Sequence, residues 1–295
     1  AVGADYLLEM AKLRALRRVW TRIACAFGVE ENQATMKLHA VTSRRMLTAR
    51  DPWVNMLRNT AACFAAGVGG ADIVTVRPFT DALGLPSKLG RRIARNTQLI
   101  AQEESSLGKV LDPAGGAWSI GKIAEDMAEA AWTIFQDIEA QGGLTASLVS
   151  GHIQEQIAKV RAHRKRNVAL RKEPVTGVSD FPLLEETKAE TISVDISATT
   201  DSATKPTGRK PSSRAIADLI EAASLGATLS DLSVASEGAE ADPLWPIRLA
   251  KPFELLRDHA DQYERKTGAR PQILLAALGP LAEHTARATF AANFF

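Results

Sequence analysis

The chain has 295 residues, of which 45% are hydrophobic and 24% charged, a composition that excludes a wholly disordered chain or a collagen. At roughly 100–200 residues per domain, this length predicts about two domains. The 36 basic and 34 acidic residues leave a net charge of +2, which gives no global field to attract nucleic acid or an anionic membrane.

Targeting and redox signals are sparse. The segment from Ala1 to Tyr6 lacks a basic stretch followed by an apolar core, so we expect no signal peptide. No apolar run approaches the roughly 18 residues that a membrane span needs. Cys25 and Cys63 have no His or Cys at ligand spacing, and we expect both to be buried apolar residues. These observations fit a reducing, cytoplasmic compartment.

The first part of the chain alternates between helical and extended patterns. Apolar residues at steps of three and four predict a helix over 5–27. Asp51 and Pro52 are typical of a helix start, and Gly69-Gly70 ends that helix. A third helix is predicted over 87–105, and β-branched or turn-bounded segments predict strands over 34–42, 72–79 and 109–120.

The three predicted strands begin about 38 residues apart, a period that favours βαβ units and a parallel sheet. A doubly wound sheet and a (β/α)8 barrel both fit this pattern. A closed barrel needs eight such units, so a barrel would be represented here only by its last part.

The rest of the chain is predicted to be largely helical. Residues 121–172 indicate two long helices joined at Gly142-Gly143, with His152 and His163 on the surface of the second. Its many cations lack interleaved aromatics, which favours a solvated face over a nucleic-acid contact. Beyond these helices, a polar linker is predicted over 187–213, helices over 214–225 and 252–266, a buried strand over 272–278 and a helix from about Glu283.

Three side chains are candidates for chemistry near the predicted sheet edge. His39 lies near the carboxyl end of the first predicted strand, where it would donate to a substrate carbonyl or be a half-buried histidine with a backbone partner. Arg77, near the end of the second strand, would pair with a phosphate or carboxylate, or bond loop carbonyls. Gln98 on the third helix would face either the core or the barrel mouth.

Common catalytic motifs are missing from the sequence. The Gly-rich turns match neither a Walker loop nor the dinucleotide fingerprint, and HExxH, GxSxG and paired-cysteine zinc patterns do not occur. The residues alone therefore predict an α/β chain with a barrel-like repeat, followed by a second α/β domain.

Three stretches carry a family resemblance. KLHAVTSRRMLTARDPWVNMLR, ALGLPSKLGRRIARNTQLIAQEES and VLDPAGGAWSI closely resemble the methylmalonyl-CoA mutase family, in the late part of its acyl-CoA-binding barrel. The resemblance covers residues 1–182 and 245–295. It implies the C-terminal part of a (β/α)8 barrel over 1–182, a linker with a helical segment over 183–244, and over 245–295 a linker helix and the start of a degenerate, flavodoxin-like cobalamin-binding domain. The chain would then be an internal fragment.

The resemblance also implies a chemistry. The family interconverts succinyl-CoA and methylmalonyl-CoA through a radical generated from adenosylcobalamin, so that the cofactor carries the hard step. The cobalamin lies between the barrel and the flavodoxin-like domain, where a histidine of a DxHxxG motif coordinates the cobalt.

This sequence departs from the catalytic pattern at the substrate side. Where catalytic members read approximately HCQTSG, the chain keeps His39 but carries Val41 in place of Gln and Arg44 in place of Gly. Where they read LHTNS, the chain has 74–78, VTVRP, so polar substrate contacts are lost. Gln98 of NTQL matches.

It departs at the cobalamin side as well. Over 281–286 the DxHxxG pattern becomes LAEHTA, so Glu283 occupies the ligand position and His284 comes one residue late. One residue on a helix is a rotation of about 100°, and Leu281 cannot orient a metal-binding imidazole as an Asp does.

These departures resemble the small, non-catalytic subunit of the heterodimeric mutases. That reading implies no cobalamin or metal in this chain, and a heterodimer with a catalytic large subunit that holds adenosylcobalamin and acts on acyl-CoA. His39 is then the catalytic candidate, vestigial in such a subunit, and Arg77 and Gln98 are the candidate substrate-binding residues. The alternative is a divergent catalytic mutase chain that binds cobalamin itself, with His39 on the thioester carbonyl and His284 as the lower cobalt ligand. A third reading is an unrelated barrel binding module.

Overall fold

The computed structural model describes residues 1–183, 185–193, 211–213, 215–232 and 240–294. They divide into a larger compact unit of residues 1–192 and 243–295 and a smaller one of 193–242. Most of the predicted linker over 187–213, and Arg214 at the start of the predicted helix 214–225, lie outside the described residues.

Helices dominate the described structure, and the smaller unit contributes α7 and α8. In chain order they are α1 (Tyr6–Ala26), α2 (Val54–Val68), α3 (Lys88–Leu99), α4 (Trp118–Ala140), α5 (Gly143–Val149), α6 (His152–Ala169), α7 (Ile216–Ser224), α8 (Leu229–Leu232), α9 (Lys251–Thr267) and α10 (Leu281–Phe294). Among the described residues, no helix is long and apolar enough to cross a membrane.

The predicted helices are confirmed, with one change in number. Residues 121–172 hold three helices instead of two, because the backbone turns at Gly151 with φ of +81° and separates α5 from α6. The third predicted helix is α3 continued by a π-helical turn, Ile100–Glu104. The predicted positions of Gly142-Gly143 and of the last helix also agree with the structure.

A parallel strand pair confirms the predicted βαβ unit. Strands β1 (His39–Val41) and β2 (Ile73–Thr75) pair in parallel, with His39 opposite Ile73, and α2 connects them. Both strands are shorter than predicted. A second pair, β3 (Leu85–Pro86) and β4 (Thr191–Ile192), is antiparallel and was not expected from the sequence.

The third predicted strand, 109–120, is wrong. Leu107–Lys109 forms a 3-10 turn, the Gly115 N–H donates to the Asp112 carbonyl at 2.9 Å, and α4 begins at Trp118. Pro113 has no N–H for a strand ladder, and Gly116 has φ of +80°. In the described part of the chain both sheets have two strands, so the fold is α/β and the predicted barrel is not confirmed.

The predicted buried strand over 272–278 is also wrong. The segment runs without a strand partner among the described residues, and Leu274 and Leu278 are 91% and 84% exposed. A strand requires a neighbour to satisfy its backbone groups. The flavodoxin-like start is therefore not confirmed, although its predicted helix is present as α10.

Close contact between α1 and α2 forms the main core. Met10 and Leu13 of α1 are buried against Ala62 and Ala65 of α2. At Gly69, a Cβ would lie 3.0 Å from the Leu13 Cδ1 and 3.1 Å from the Met10 Cα. Small residues on α2 thus let the two backbones approach.

The two cysteines lie in different environments. Cys63 is buried, as predicted, but Cys25 is exposed, so that part of the prediction is wrong. Cys25 falls in the last turn of α1, where residues 25–33 are all exposed. Burial of Cys63 raises the pKa of its thiol.

One carboxylate fixes the start of the parallel pair. The Asp72 Oδ2 accepts from the Leu38 N–H at 2.8 Å and from the Arg17 Nη2 at 2.8 Å. The same guanidinium donates through Nη1 to the Met36 carbonyl at 2.7 Å. The Leu38 hydrogen bond, followed by the Arg17 bond, lowers the pKa of Asp72 below its usual value.

The N-terminal part of α9 anchors the segment that follows β1. The Glu254 side chain, 2% exposed, accepts from the Ala49 N–H at 2.7 Å and pairs with Arg248 at 2.6 Å. Nearby, Arg50 pairs with Asp261 at 2.6 Å. These contacts join positions about 200 residues apart in the sequence and stabilise the turn between β1 and α2.

The Asp72 interaction predicts a pH-dependent stability. Because the folded-state pKa is lowered, the charge stabilises the fold above the usual value of 3.8 and the effect is lost as the pH falls through the folded-state pKa. We expect Asp72→Asn to lower the free energy of unfolding of the full-length protein at pH 7. Urea titrations should show that its difference from wild type shrinks below pH 3.8; a difference that stays constant down to the lowest pH would contradict this.

The Glu254 anchor predicts a large loss on truncation. Glu254→Ala leaves the Ala49 N–H and the Arg248 guanidinium, 18% exposed, without their acceptor, which should cost about 3 kcal/mol. Native-state hydrogen exchange of the α9 amides in the full-length protein measures this. Glu155→Gln, which breaks the exposed pair with Lys159 on α6, is the matched control and should have little effect. Equal exchange rates in the two variants would refute the anchor.

Candidate functional site

The carboxyl end of the β1–β2 pair is the predicted site, and buried Thr42 lies at its centre. The Thr42 N–H donates to the Thr75 carbonyl at 3.0 Å. The Thr42 hydroxyl oxygen accepts from the Arg77 backbone N–H at 2.8 Å, and the Thr42 carbonyl accepts from the Arg77 Nε at 3.1 Å. The ends of the two strands are thus joined by side-chain hydrogen bonds.

Two guanidinium groups share one carboxylate at this edge. The Arg44 Nε lies 2.7 Å from the Asp81 Oδ2, and the Arg77 Nη1 lies 3.6 Å from the Asp81 Oδ1. The Asp81 side chain is only 15% exposed, against 55% for Arg44 and 35% for Arg77. The carboxylate partner of Arg77 is therefore Asp81 of the same chain. Arg77 also bonds the Thr42 carbonyl, which agrees with the predicted alternative of a loop carbonyl.

His39 is exposed and is the first residue of β1, so the prediction that it lies near the carboxyl end of its strand is wrong. The residues before His39 do not extend the strand, because their backbone groups bond to side chains. The Leu38 N–H donates to Asp72, and the Met36 carbonyl accepts from Arg17. The His39 Nε2 lies 2.8 Å from the Thr75 hydroxyl. Its partner is thus a side chain and not the backbone group that was the alternative.

Gln98 is half-buried on α3, one turn after buried Ala94. Residues four apart share a helix face, and Ala94 packs with Cys63 and Val76. This places Gln98 on the side of α3 that packs against α2. The following π-helical turn is a departure from regular helix of a kind often found near functional sites.

The structure brings only some of the candidates together. His39 of β1 contacts Thr75 of β2, and Arg77, which follows β2, contacts Thr42 at the end of β1. Across the described ranges, no hydrogen bond or ion pair connects either of them with Gln98 or with His284, which lies on α10.

The surroundings of His284 do not fit a cobalt-ligating histidine. Its Nδ1 is buried and has no hydrogen-bond partner among the described residues. A metal-binding imidazole normally donates its second nitrogen to a carboxylate or carbonyl, but the position of that carboxylate is held by Leu281, which is 74% exposed. Within the described part of the chain, no cluster of three or more His, Cys, Asp or Glu is arranged to hold a metal ion.

Sequence reasoning missed Asp81. It lies in a turn after β2 and belongs to no motif, so nothing in its own context marks it. The available signals were the pair of cations, Arg44 and Arg77, at the ends of two adjacent predicted strands, and the spacing of four residues between Arg77 and Asp81.

Comparisons with known proteins place the chain in a family. The family model described as methylmalonyl-CoA mutase matches residues 1–237. The chain is 45% identical, over its whole length and 41% of the relative, to the methylmalonyl-CoA mutase small subunit of Streptomyces virginiae. It is 40% identical, over 99% of the chain and 40% of the relative, to the probable methylmalonyl-CoA mutase small subunit of Mycobacterium tuberculosis strain H37Rv.

A further relative, the methylmalonyl-CoA mutase small subunit of Propionibacterium freudenreichii subsp. shermanii, is 43% identical over 63% of the chain and 30% of its own length. The chain thus spans about two fifths of the length of the first two relatives. The family match covers far more than half of the 295 residues, in agreement with the resemblance of the three motif stretches. The chain therefore belongs to the methylmalonyl-CoA mutase family.

Proposed function

We propose that the chain is part of the small, non-catalytic subunit of a cytoplasmic, heterodimeric methylmalonyl-CoA mutase. In this assembly the catalytic large subunit binds adenosylcobalamin and isomerises succinyl-CoA and methylmalonyl-CoA. Identities of 40–45% to proteins named as small subunits support the assignment. The proposal includes the domain organisation implied by the resemblance: late barrel over 1–182, linker over 183–244 and the start of a cobalamin-type domain over 245–295.

The Arg44–Asp81–Arg77 ion-pair network is the observation that carries the proposal. Catalytic relatives need small and hydrogen-bonding residues at this edge, whereas this chain fills it with two guanidinium groups and a carboxylate. A substrate would have to displace these contacts to reach the ends of β1 and β2. Such a network occupies the strand ends in place of substrate contacts, which is compatible with a structural subunit.

The cofactor side supports the same reading. Adenosylcobalamin, where a family member binds it, supplies the radical that abstracts a substrate hydrogen. In this chain Leu281 and the unpartnered Nδ1 of His284 do not provide the oriented imidazole that would hold the cobalt. Glu283 at the ligand position is exposed on α10. We therefore assign the cofactor to the large subunit.

Cobalamin retention tests the proposal. The full-length protein, mixed with adenosylcobalamin and desalted, should lose the pigment, because His284 lacks the oriented partner that a cobalt-ligating imidazole needs. The large subunit treated in the same way should keep it, and the two proteins should co-purify. A visible absorption spectrum of each desalted sample measures the outcome.

The same experiment identifies the alternative. A retained pigment with the base-off, histidine-on spectrum would refute a non-catalytic subunit. If His284→Ala then lost the pigment, His284 would be the lower ligand and the chain a divergent catalytic mutase.

The role of His39 is tested separately in the assembled enzyme. We expect His39→Gln to leave kcat and KM within about twofold of wild type, because the imidazole is bonded to the chain's own Thr75. A histidine acting on the thioester carbonyl would instead contribute about 100-fold or more to the rate. Turnover of methylmalonyl-CoA by the two-subunit complex distinguishes these cases, and a loss of that size would support the catalytic alternative.

A further inference from the structure

An apolar groove runs between two helices of the larger unit, away from the β1–β2 edge. It has a volume of about 390 Å³, within the roughly 300–1,000 Å³ range of small-molecule sites. Its walls are aliphatic side chains from α4, α6 and the segment before α9. They are Ile134, Ile138, Ile153, Ile157, Val160 and Ile247.

The polar groups of the groove are unevenly distributed. Near the start of α6, the His152 Nε2 lies 2.6 Å from the Asp137 Oδ2, so these two groups satisfy each other. Further along α6, Arg161 donates to the Trp245 carbonyl at 2.9 Å. Arg164 lies one turn beyond Arg161, about 18 Å of helix rise from His152.

Two guanidinium groups at this far end form no ion pair within the described residues. Arg45 and Arg164 both line the groove and are half-buried. In the described part of the chain, neither side chain forms an ion pair or hydrogen bond. Burial, followed by repulsion from Arg164, lowers the pKa of Arg45 and outweighs the weaker attraction of Glu9 and Glu173. Half-buried like charges are costly unless an anion joins them.

We propose that this groove binds an aliphatic carboxylate, with the carboxylate between Arg45 and Arg164 and the hydrocarbon tail along Ile153, Ile157 and Val160. Arginine forks match a carboxylate in geometry and charge, and an apolar wall with few convergent polar groups is typical of a small-ligand site. With carbon–carbon bonds of about 1.5 Å, a chain of about eight carbons is shorter than the helix face available to it. A groove of about 390 Å³ is also large enough for a ligand of this size.

Isothermal titration of the full-length protein with octanoate tests this proposal. We expect saturable binding at one site. The double variant Arg45→Gln/Arg164→Gln should weaken it by more than about tenfold, because losing even one charge-assisted hydrogen bond has an effect of that size and this variant removes both guanidinium groups. Ile157→Asp should weaken it too, because a carboxylate would enter the tail region.

Matched controls separate this site from non-specific association. Lys165→Gln removes a neighbouring exposed cation that does not line the groove, and its affinity should equal that of wild type. Octylammonium, with the same tail and the opposite charge, should not bind. Equal binding of the two amphiphiles, or unchanged affinity in the double variant, would overturn the proposal.

A polypeptide occupant would give a different result. If octanoate does not bind, and the α6 amides exchange slowly only in the complex with a large subunit, the groove is a docking surface and the proposal is wrong. None of these outcomes depends on whether the subunit is catalytic.

Discussion

The buried carboxylate of Glu254 is the interaction on which the larger unit depends. It accepts from the Ala49 N–H and pairs with Arg248, and so holds the segment between β1 and α2 against the start of α9. That segment carries Arg44 on one side and Arg45 on the other. Because their backbone is fixed, the first guanidinium reaches Asp81 at the strand edge and the second faces the groove beside α6. The Glu254 contacts, together with the Leu249 N–H that donates to the Arg45 carbonyl at 3.0 Å, thus hold the segment that carries both guanidinium groups.

The helices and the βαβ unit were predictable because their patterns are local. Periodic apolar residues identify α1 and α2 whatever packs against them. The segments 109–120 and 272–278 show the limit of that reasoning, since a strand exists only where a neighbour accepts its backbone hydrogen bonds. In 109–120 the turn at Pro113 competes with pairing. The composition of 272–278 is the same as that of a buried strand. Whether such a segment is buried depends on the elements that pack against it, which its own residues do not reveal.

The candidate site was predictable in its residues but not in their contacts. His39 and Arg77 were identified because they flank predicted strands, and Gln98 because it lies on the third predicted helix. The motif resemblance identified His284. The register that makes His39 the first residue of β1 depends on Asp72, which lies 33 residues later and captures the Leu38 N–H. Asp81 and Arg45 escaped notice for the same reason. Their roles arise from tertiary proximity to Arg44 and Arg164, which no local pattern records.

The extended segment 272–278 has a consequence for colloidal behaviour. It is uncharged and rich in leucine, with Leu274 and Leu278 almost fully exposed, which is the composition of a segment that associates through edge-to-edge β pairing. Pro271 immediately precedes it, and Pro280 follows it after Gly279. Because proline cannot donate to a ladder, these residues act as gatekeepers that limit how far intermolecular pairing can spread. Intermolecular pairing of this segment would thus be restricted at both ends.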